Sequence, residues 1–387
     1  MSRHSALSAL CASNAAWESA TRRIASSTHR TFSSTARRNA GITHFTPTSS
    51  PELDDLLNTI RHKIILPAYL PTEQRKKITS PKYEKKLQSD PITIEIDGEV
   101  LKFRFQDPFK DIPQTRRSVV NAISRFETPE DFANLRPLIE GVAYARRHFD
   151  ASFYCKVLRV LGAKGRIFDV IELARGVARS GFRLDSSEKV NEVMHWVQMK
   201  AIDSAWDPEE TAQALRWAEM VLELLQEEDH QPKRRKNEST LEGELPLHRD
   251  PMVLLAPLHL SAALVSKQGA EANDAVVDKL VKHARDVVRL WPQGKKLLEV
   301  QPPALTAEYD NMGYLLEPNK YIVITAPLLR GLDMAVEALE ARNSDLAAQL
   351  QSRRNILAAE VQDARAKATK KNRGEAVYQK LYGEDTA

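Results

Sequence analysis

Apolar residues recur at helical spacing over most of the chain from Thr115 onward, and this pattern predicts a mostly helical protein. The segment Trp206-Asp207-Pro208-Glu209-Glu210 is typical of a helix start, because Asp caps free N–H groups and Pro fits the first turn. Helices are predicted over 115–126, 129–146, 150–163, 166–180, 186–202, 208–228, 252–267 and 271–291.

A period of two replaces the helical period at 92–105 and predicts a β-hairpin. Apolar residues alternate with polar ones on both sides of Asp97-Gly98, a dipeptide typical of a type I′ turn, which needs positive φ at both positions. The implied register pairs Ile94 with Leu101 and Ile92 with Phe103 on one face. Because an isolated hairpin is only marginally stable in water, we expect this face to pack on helices.

A heptad pattern begins after Ala326 and predicts one long C-terminal helix, either packed on the protein or paired in a coiled coil. Its positions alternate spacings of four and three, with polar interruptions at Asn343 and Arg353. The seam consists of Leu332, Val336, Leu339, Asn343, Leu346, Leu350, Arg353 and Leu357. A basic tail runs from Lys367 to Arg373.

These patterns predict an all-α fold, namely an α-solenoid-like stack of helical hairpins with a small N-terminal β-hairpin and a long C-terminal helix. No run of about 18 apolar residues occurs, so no membrane span is expected. The predicted divisions are a presequence at 1–32, an N-terminal extension at 33–111, helical repeats at 112–228, a charged linker at 229–250, a second helical set at 251–325, and the C-terminal helix or coiled coil with its tail at 326–387.

The first forty residues have the composition of a targeting segment, with six arginines, nine serines, no lysine and one acid. Arg-rich, Ser-rich and acid-poor starts are typical of organelle transit peptides. Arg30-Thr31-Phe32-Ser33-Ser34 resembles the matrix-processing sites of fungal mitochondrial precursors, with cleavage after Phe32. We therefore predict a mitochondrial matrix protein.

Composition and motifs argue against catalysis and against bulk binding of polyanions. Without residues 1–32 the chain has 52 basic and 51 acidic residues, so any nucleic-acid contact must come from a local patch. There is no P-loop, GxGxxG or GxSxG motif. Cys155 is the only cysteine outside the presequence, which excludes multi-cysteine zinc sites. We predict a protein that is not an enzyme, with no catalytic residues, no cofactor and no metal.

Residues 152–186, SFYCKVLRVLGAKGRIFDVIELARGVARSGFRLDS, carry the most specific pattern in the chain. Val157, Leu158 and Leu161 fall on one helical face, and Gly165 permits a tight turn before a second apolar stripe. The segment resembles a pentatricopeptide (PPR) repeat, a helical hairpin that needs stacked neighbours to bury both of its faces. The matching features are Tyr154, Val157, Leu158, Leu161, Gly162, Lys164, Gly165, Arg166, Leu173, Gly181 and Asp185.

The segment also departs from that family. Leu184 replaces the usual proline, and the two positions that address a base in RNA-reading members correspond to Cys155 and Asp185. Because cysteine is a poor hydrogen-bonding group, no base-reading code is expected. A hairpin of the related TPR kind, built for protein contact, fits almost as well.

The resemblance implies a non-enzymatic helical-repeat binding protein in mitochondrial gene expression, acting in RNA processing or stability, in translation, or as a component of the mitochondrial ribosome. The alternative is a protein-binding scaffold or assembly factor for a complex of the mitochondrial inner membrane. The expected partners are mitochondrial RNA or the ribosome, and proteins bound through the repeats and the C-terminal helix.

Six cations against one acid, Asp150, form a local bias between residues 146 and 166. An RNA binder needs a continuous basic track of this kind, whereas a scaffold needs an apolar groove. The other interpretation is that these side chains pair with acids on neighbouring helices or cover apolar surface. The candidate RNA-binding residues are Arg146, Arg147, Lys156, Arg159, Lys164 and Arg166.

Overall fold

The computed structural model describes residues 41–232, 245–269, 273–306, 313–368 and 373–383. The predicted presequence lies outside these residues, as do 233–244 of the predicted linker and 369–372 of the predicted basic tail. The described chain forms two compact units, one of residues 41–45 and 61–113 and the other of residues 46–60 and those from 114 onward. The predicted domain boundaries stay predictions. The first helix, α1 (Pro51–Ile60), belongs to the larger unit.

The smaller unit contains short helical segments and one hairpin. A π-helical turn (Arg61–Ile65) and a 3-10 turn (Leu66–Tyr69) precede α2 (Thr72–Ile78), a second 3-10 turn (Pro81–Tyr83) and α3 (Glu84–Ser89). Strands β1 (Ile92–Ile96) and β2 (Glu99–Phe103) follow and pair antiparallel.

The hairpin has the predicted turn and register. Asp97 and Gly98 have φ of 51° and 81°, as a type I′ turn requires. Ile94 pairs with Leu101 and Ile92 with Phe103, which confirms the predicted pairing. The inner face packs on the short helical segments of its own unit, in a core with Leu66, Leu70, Ile78 and Leu87.

The first part of the larger unit is a succession of helices at the predicted positions. The bounds are α4 (Thr115–Arg125), α5 (Pro129–Ala133), α6 (Leu135–Tyr144), α7 (Ala151–Ala163), α8 (Ile167–Arg175), α9 (Val177–Ser180), α10 (Ser187–Asp203) and α11 (Pro208–Leu224), with a 3-10 turn at Glu228–His230. Helix α7 packs against α4 and α10, and α8 packs against α11, so the predicted hairpin at 152–186 has helices stacked on it.

The second part is built around α12 (Pro251–Gln268), which is buried on every side from Pro251 to Val265. The remaining helices are α13 (Asp274–Leu290), α14 (Leu297–Val300), α15 (Pro318–Glu340), α16 (Ser344–Lys367) and α17 (Arg373–Tyr382), with 3-10 turns at Leu247–Arg249, Pro303–Leu305 and Tyr314–Leu316. Helix α12 packs against α11, α13 and α15 and so joins the two parts of this unit in one core.

The predicted all-α class with one small hairpin is confirmed, and the long C-terminal helix is present as the 24-residue α16. The continuous heptad seam, and with it the coiled coil, is wrong. The chain leaves the helical path after Glu340, and α15 and α16 pack against each other. The Asn343 side chain accepts a hydrogen bond from the Leu346 N–H at 3.2 Å, so the predicted polar interruption is a helix cap.

Arg353, the second predicted interruption, is buried and caps another helix. Its guanidinium donates to the carbonyls of Trp291 at 2.8 Å and Val288 at 2.9 Å, at the C-terminal end of α13. A cation at this end of a helix is favoured by the helix dipole. Within the described ranges, no helix is both long enough and apolar enough to cross a bilayer.

Candidate nucleic-acid interface

Helix α6 ends in a turn that presents two adjacent arginines. Arg146 has φ of 55°, in the left-handed region, and its N–H donates to the Ala143 carbonyl at 2.9 Å. The Arg147 N–H donates to the Val142 carbonyl at 3.3 Å. These two bonds define a Schellman turn, whose left-handed position is usually glycine. Both arginine side chains are exposed.

A cavity of about 560 Å³ opens beside this turn, between the start of α4 and the connection from α6 to α7. We call it the basic pocket, defined by its charged or ionisable lining residues Arg116, Arg146, Arg147, His148 and Asp150. Neither Arg146 nor Arg147 has an ion-pair partner in the part of the chain that the structure describes. Their guanidinium groups are therefore available to an anion from outside.

Asp150 is the one acid of the basic pocket, and it is engaged locally. Its carboxylate caps α7 by accepting from the Phe153 N–H at 3.0 Å, and it pairs with Arg116 at 3.1 Å. Partial burial acts to raise the pKa of Asp150, but hydrogen bonds from Phe153, Ser152 and Arg116 outweigh it and hold the pKa below its usual value. Asp150 thus offsets one charge, that of Arg116, and leaves two arginines unneutralised.

Lys156 extends the basic pocket along α7. Arg116 donates to the Ser152 hydroxyl at 2.6 Å, and Lys156 lies one turn beyond Ser152 on the same face. The Lys156 side chain is exposed and has no ion-pair partner among the described residues. Since one helical turn rises about 5.4 Å, Lys156 lies about that far beyond Ser152 along α7.

Arg159, three residues further on, is engaged with the next hairpin. Its guanidinium lies 3.1 Å from the Glu192 carboxylate and 3.8 Å from Glu188, both on α10. Glu192 is only 4% exposed, so Arg159 compensates a buried charge. This pairing makes Arg159 part of the helix–helix packing.

Lys164 and Arg166 also have partners within the protein. The Lys164 ammonium donates to the Phe126 carbonyl at 2.8 Å, just past the end of α4. Arg166 pairs with Asp169 at 2.6 Å and lies over the Phe132 ring, 4.7 Å from its centroid. The six predicted cations therefore divide into three with internal partners and three, Arg146, Arg147 and Lys156, that have no ion-pair partner among the described residues. Binding of RNA by any of them stays a prediction.

Arg116 and His148 belong to the same surface, and sequence reasoning missed both. Arg116 is about thirty residues from the predicted cluster, and only the packing of α4 against α7 brings them together. The one sequence signal was Arg116-Arg117 at the start of a predicted helix, a position where acids are usual.

The two positions that correspond to base-reading residues are unsuited to that task. Cys155 is fully buried, and burial raises the pKa of its thiol to about 12. Asp185 pairs with Lys189 one turn later in the chain. Both observations agree with the expectation that this hairpin has no base-reading code. No group of His, Cys, Asp and Glu side chains within the described ranges is arranged to hold a metal ion.

Comparison with known proteins identifies the family. The family model described as mitochondrial ribosomal protein mS27 matches residues 30–382. A curated protein of Neurospora crassa, small ribosomal subunit protein mS27, is 36% identical over 368 residues, which cover 92% of each chain. Among the predicted settings, these matches confirm the mitochondrial ribosome and with it the matrix location. The chain belongs to the mS27 family of mitochondrial ribosomal proteins.

Proposed function

We propose that this chain is a non-catalytic component of the small subunit of the mitochondrial ribosome and that it binds ribosomal RNA phosphates through the basic pocket and Lys156. The name of the Neurospora crassa relative supports the assignment to the small subunit. The observation that most directly supports the RNA contact is the pair Arg146 and Arg147, exposed beside a cavity and without internal partners among the described residues.

The chemistry of the basic pocket suits a phosphate backbone. Guanidinium groups donate two parallel hydrogen bonds to a phosphate, and most protein contacts to nucleic acids involve phosphates and sugars. The cavity is open and holds three arginines, so it admits a backbone phosphate that approaches from solvent. Such contacts position the protein on RNA without reading its sequence, which agrees with the burial of Cys155.

The backbone at Arg146 gives independent support. A non-glycine residue in the left-handed region costs about 1–2 kcal/mol, and such outliers cluster at functional sites. Gly165 occupies the same position in the turn after α7. The left-handed backbone of Arg146 lowers the free energy of unfolding, and we infer that the arginine is retained because its side chain binds RNA.

The helical hairpins fit the role of a scaffold that holds this surface. We infer that the PPR-like hairpins and the C-terminal helices α15 to α17 contact neighbouring ribosomal proteins. Family membership favours this setting over the alternative, an assembly factor for an inner-membrane complex.

The test is the salt dependence of RNA binding by the full chain. The probe is a single-stranded uridine oligonucleotide, compared with a fragment of mitochondrial small-subunit rRNA. Replacing Arg146 and Arg147 together with Gln should flatten the slope of log K against log salt by about 1.4, since each phosphate contact on a single strand contributes about 0.7.

The matched control replaces Arg216 and Arg285 with Gln. Both are exposed arginines of the larger unit that lie outside the basic pocket and have no ion-pair partner in the described ranges. This variant removes the same net charge and should leave the slope within about 0.3 of the wild-type value. Equal slopes for the two double variants would show that binding depends on net charge and not on the basic pocket.

A further inference from the structure

Strand β2 has a free edge in the smaller unit. In a hairpin with a two-residue turn, Ile96 and Glu99 form a hydrogen-bonded pair, and such pairs then alternate along the strands. The N–H and C=O groups of Val100 and Lys102 therefore point away from β1. None of these groups has a partner among residues 41–232 or the other described ranges.

A groove of about 320 Å³ runs along this edge, and we call it the β2 groove. One wall is the continuous segment Glu99–Gln106, and the other is formed by His62, Lys63 and Leu66 of the preceding helical turns. Val100 is 58% exposed beside it, one of the few large apolar side chains of the described chain left in solvent. An open edge next to an apolar side chain normally invites pairing with another strand.

The charges that line the β2 groove are mostly positive. Lys63, Lys102 and Arg104 contribute three cations. The only acid, Glu99, is held by Arg61 in a two-point contact at 3.1 and 2.6 Å. Burial and the neighbouring Arg61 lower the pKa of His62, so His62 is neutral near pH 7. An acidic partner therefore complements this lining.

We propose that the β2 groove binds an extended acidic segment of a neighbouring protein, which adds to the edge of β2 as a third strand. Backbone hydrogen bonds to Val100 and Lys102 supply the attachment, and the cations of the groove select acidic side chains. The outward carbonyls favour a peptide over RNA, because an extended peptide supplies a regular row of N–H donors to them, whereas the phosphates of RNA offer only acceptors and its 2′-hydroxyls do not match the spacing of a strand. This proposal is independent of the RNA contact at the basic pocket.

The experiment measures binding of a fluorescent eight-residue peptide of alternating Glu and Val to the full chain by anisotropy. Val100→Pro removes an outward N–H donor, whereas Val100→Thr keeps it. We expect Val100→Pro to bind the peptide about tenfold more weakly than Val100→Thr, the effect of a lost hydrogen bond of about 1.4 kcal/mol. Thr93→Pro, on the opposite edge of the hairpin, should bind like wild type.

A second arm needs no variant of the protein. A peptide methylated at every backbone nitrogen has no N–H donor on either edge and should lose binding to the wild-type chain, and the unmethylated peptide should slow amide hydrogen exchange at Val100 and Lys102. Equal binding of both peptides, or of Val100→Pro and Val100→Thr, would overturn the proposal. A second outcome would also overturn it. If uridine RNA displaced the peptide, and if Lys102→Gln and Arg104→Gln weakened peptide binding while Val100→Pro did not, the groove would be an RNA-binding surface.

Discussion

The turns that end α6 and α7 have the same backbone and different residues at the critical position. After α6, Arg146 has φ of 55°, and after α7, Gly165 has φ of 72°. In both turns the left-handed residue donates to the carbonyl three residues back, and the next residue donates to the carbonyl five back. The chain therefore uses glycine in one Schellman turn and arginine in the other.

The difference lies in what surrounds each turn. A Cβ at Gly165 would meet nothing within 4 Å, so glycine is required there by the backbone and not by crowding. Arg146 lies in the basic pocket, where its side chain is free to bind an anion. The comparison shows that glycine adopts the left-handed backbone of one turn without strain, whereas the arginine of the other turn has a conformational cost. We propose that this cost is retained because the Arg146 side chain contacts RNA.

The largest effect on stability is expected at Gly165. Gly165→Val places a β-branched residue in the left-handed region and should lower the free energy of unfolding by about 1–3 kcal/mol. Denaturant unfolding measures this directly. Ala163→Val, an exposed position two residues earlier on α7, is the control and should cost about 0.5 kcal/mol. Equal losses for the two variants would mean that the left-handed backbone is not the cause.

Arg159 tests whether the predicted cations divide into those that pair within the protein and those that are free to bind RNA. Arg159→Gln removes the nearer of the two arginines that contact the buried Glu192, leaving Arg373 at 3.7 Å, and should lower the free energy of unfolding by about 1–2 kcal/mol, a figure reduced by the partial exposure of Arg159. Its RNA-binding slope should equal that of wild type. Arg175→Gln breaks an exposed pair with Glu172 and should cost less than about 0.5 kcal/mol. A flattened RNA slope for Arg159→Gln would place Arg159 in the interface.

Placing an arginine in the turn after α7 should lower the stability less than Gly165→Val does. Gly165→Arg reproduces at α7 the arrangement found at α6, and it should destabilise by about 1 kcal/mol because arginine lacks the β-branch of valine. Thermal or denaturant unfolding measures the difference from Gly165→Val. If Gly165→Arg proved neutral, the left-handed arginine of α6 would need no functional explanation.

Sequence reasoning was most reliable where one local period dominates. Hydrophobic spacing located α7, α10 and α12 to within about one residue of their observed ends, and Asp97-Gly98 located the hairpin and its register. Physical rules of this kind depend only on neighbours in the chain. The heptad pattern failed at Asn343. In the sequence alone, a polar residue that caps a helix cannot be distinguished from a polar residue within a heptad seam.

The candidate site is formed by contacts between residues far apart in the sequence, which hydrophobic spacing and short motifs do not reveal. The sequence showed that cations cluster between 146 and 166, but not that Arg159 is opposite Glu192 or that Lys164 reaches Phe126. It could not place Arg116 beside Arg146, since that requires the packing of α4 on α7. The left-handed backbone of Arg146 is equally invisible, because arginine gives no signal for a turn that normally has glycine.

The most direct test of the account is Arg146→Gly, measured for stability and RNA binding on the same preparation. Glycine relieves the left-handed backbone, so the free energy of unfolding should rise by about 0.5–1 kcal/mol, while the salt slope of RNA binding should flatten by about 0.7. Arg147→Gly removes the same charge at a position without positive φ, and it should flatten the slope equally while lowering stability. The account predicts opposite changes in stability for the two variants and the same loss of RNA contact. A fall in the stability of Arg146→Gly, or an unchanged RNA slope, would contradict it.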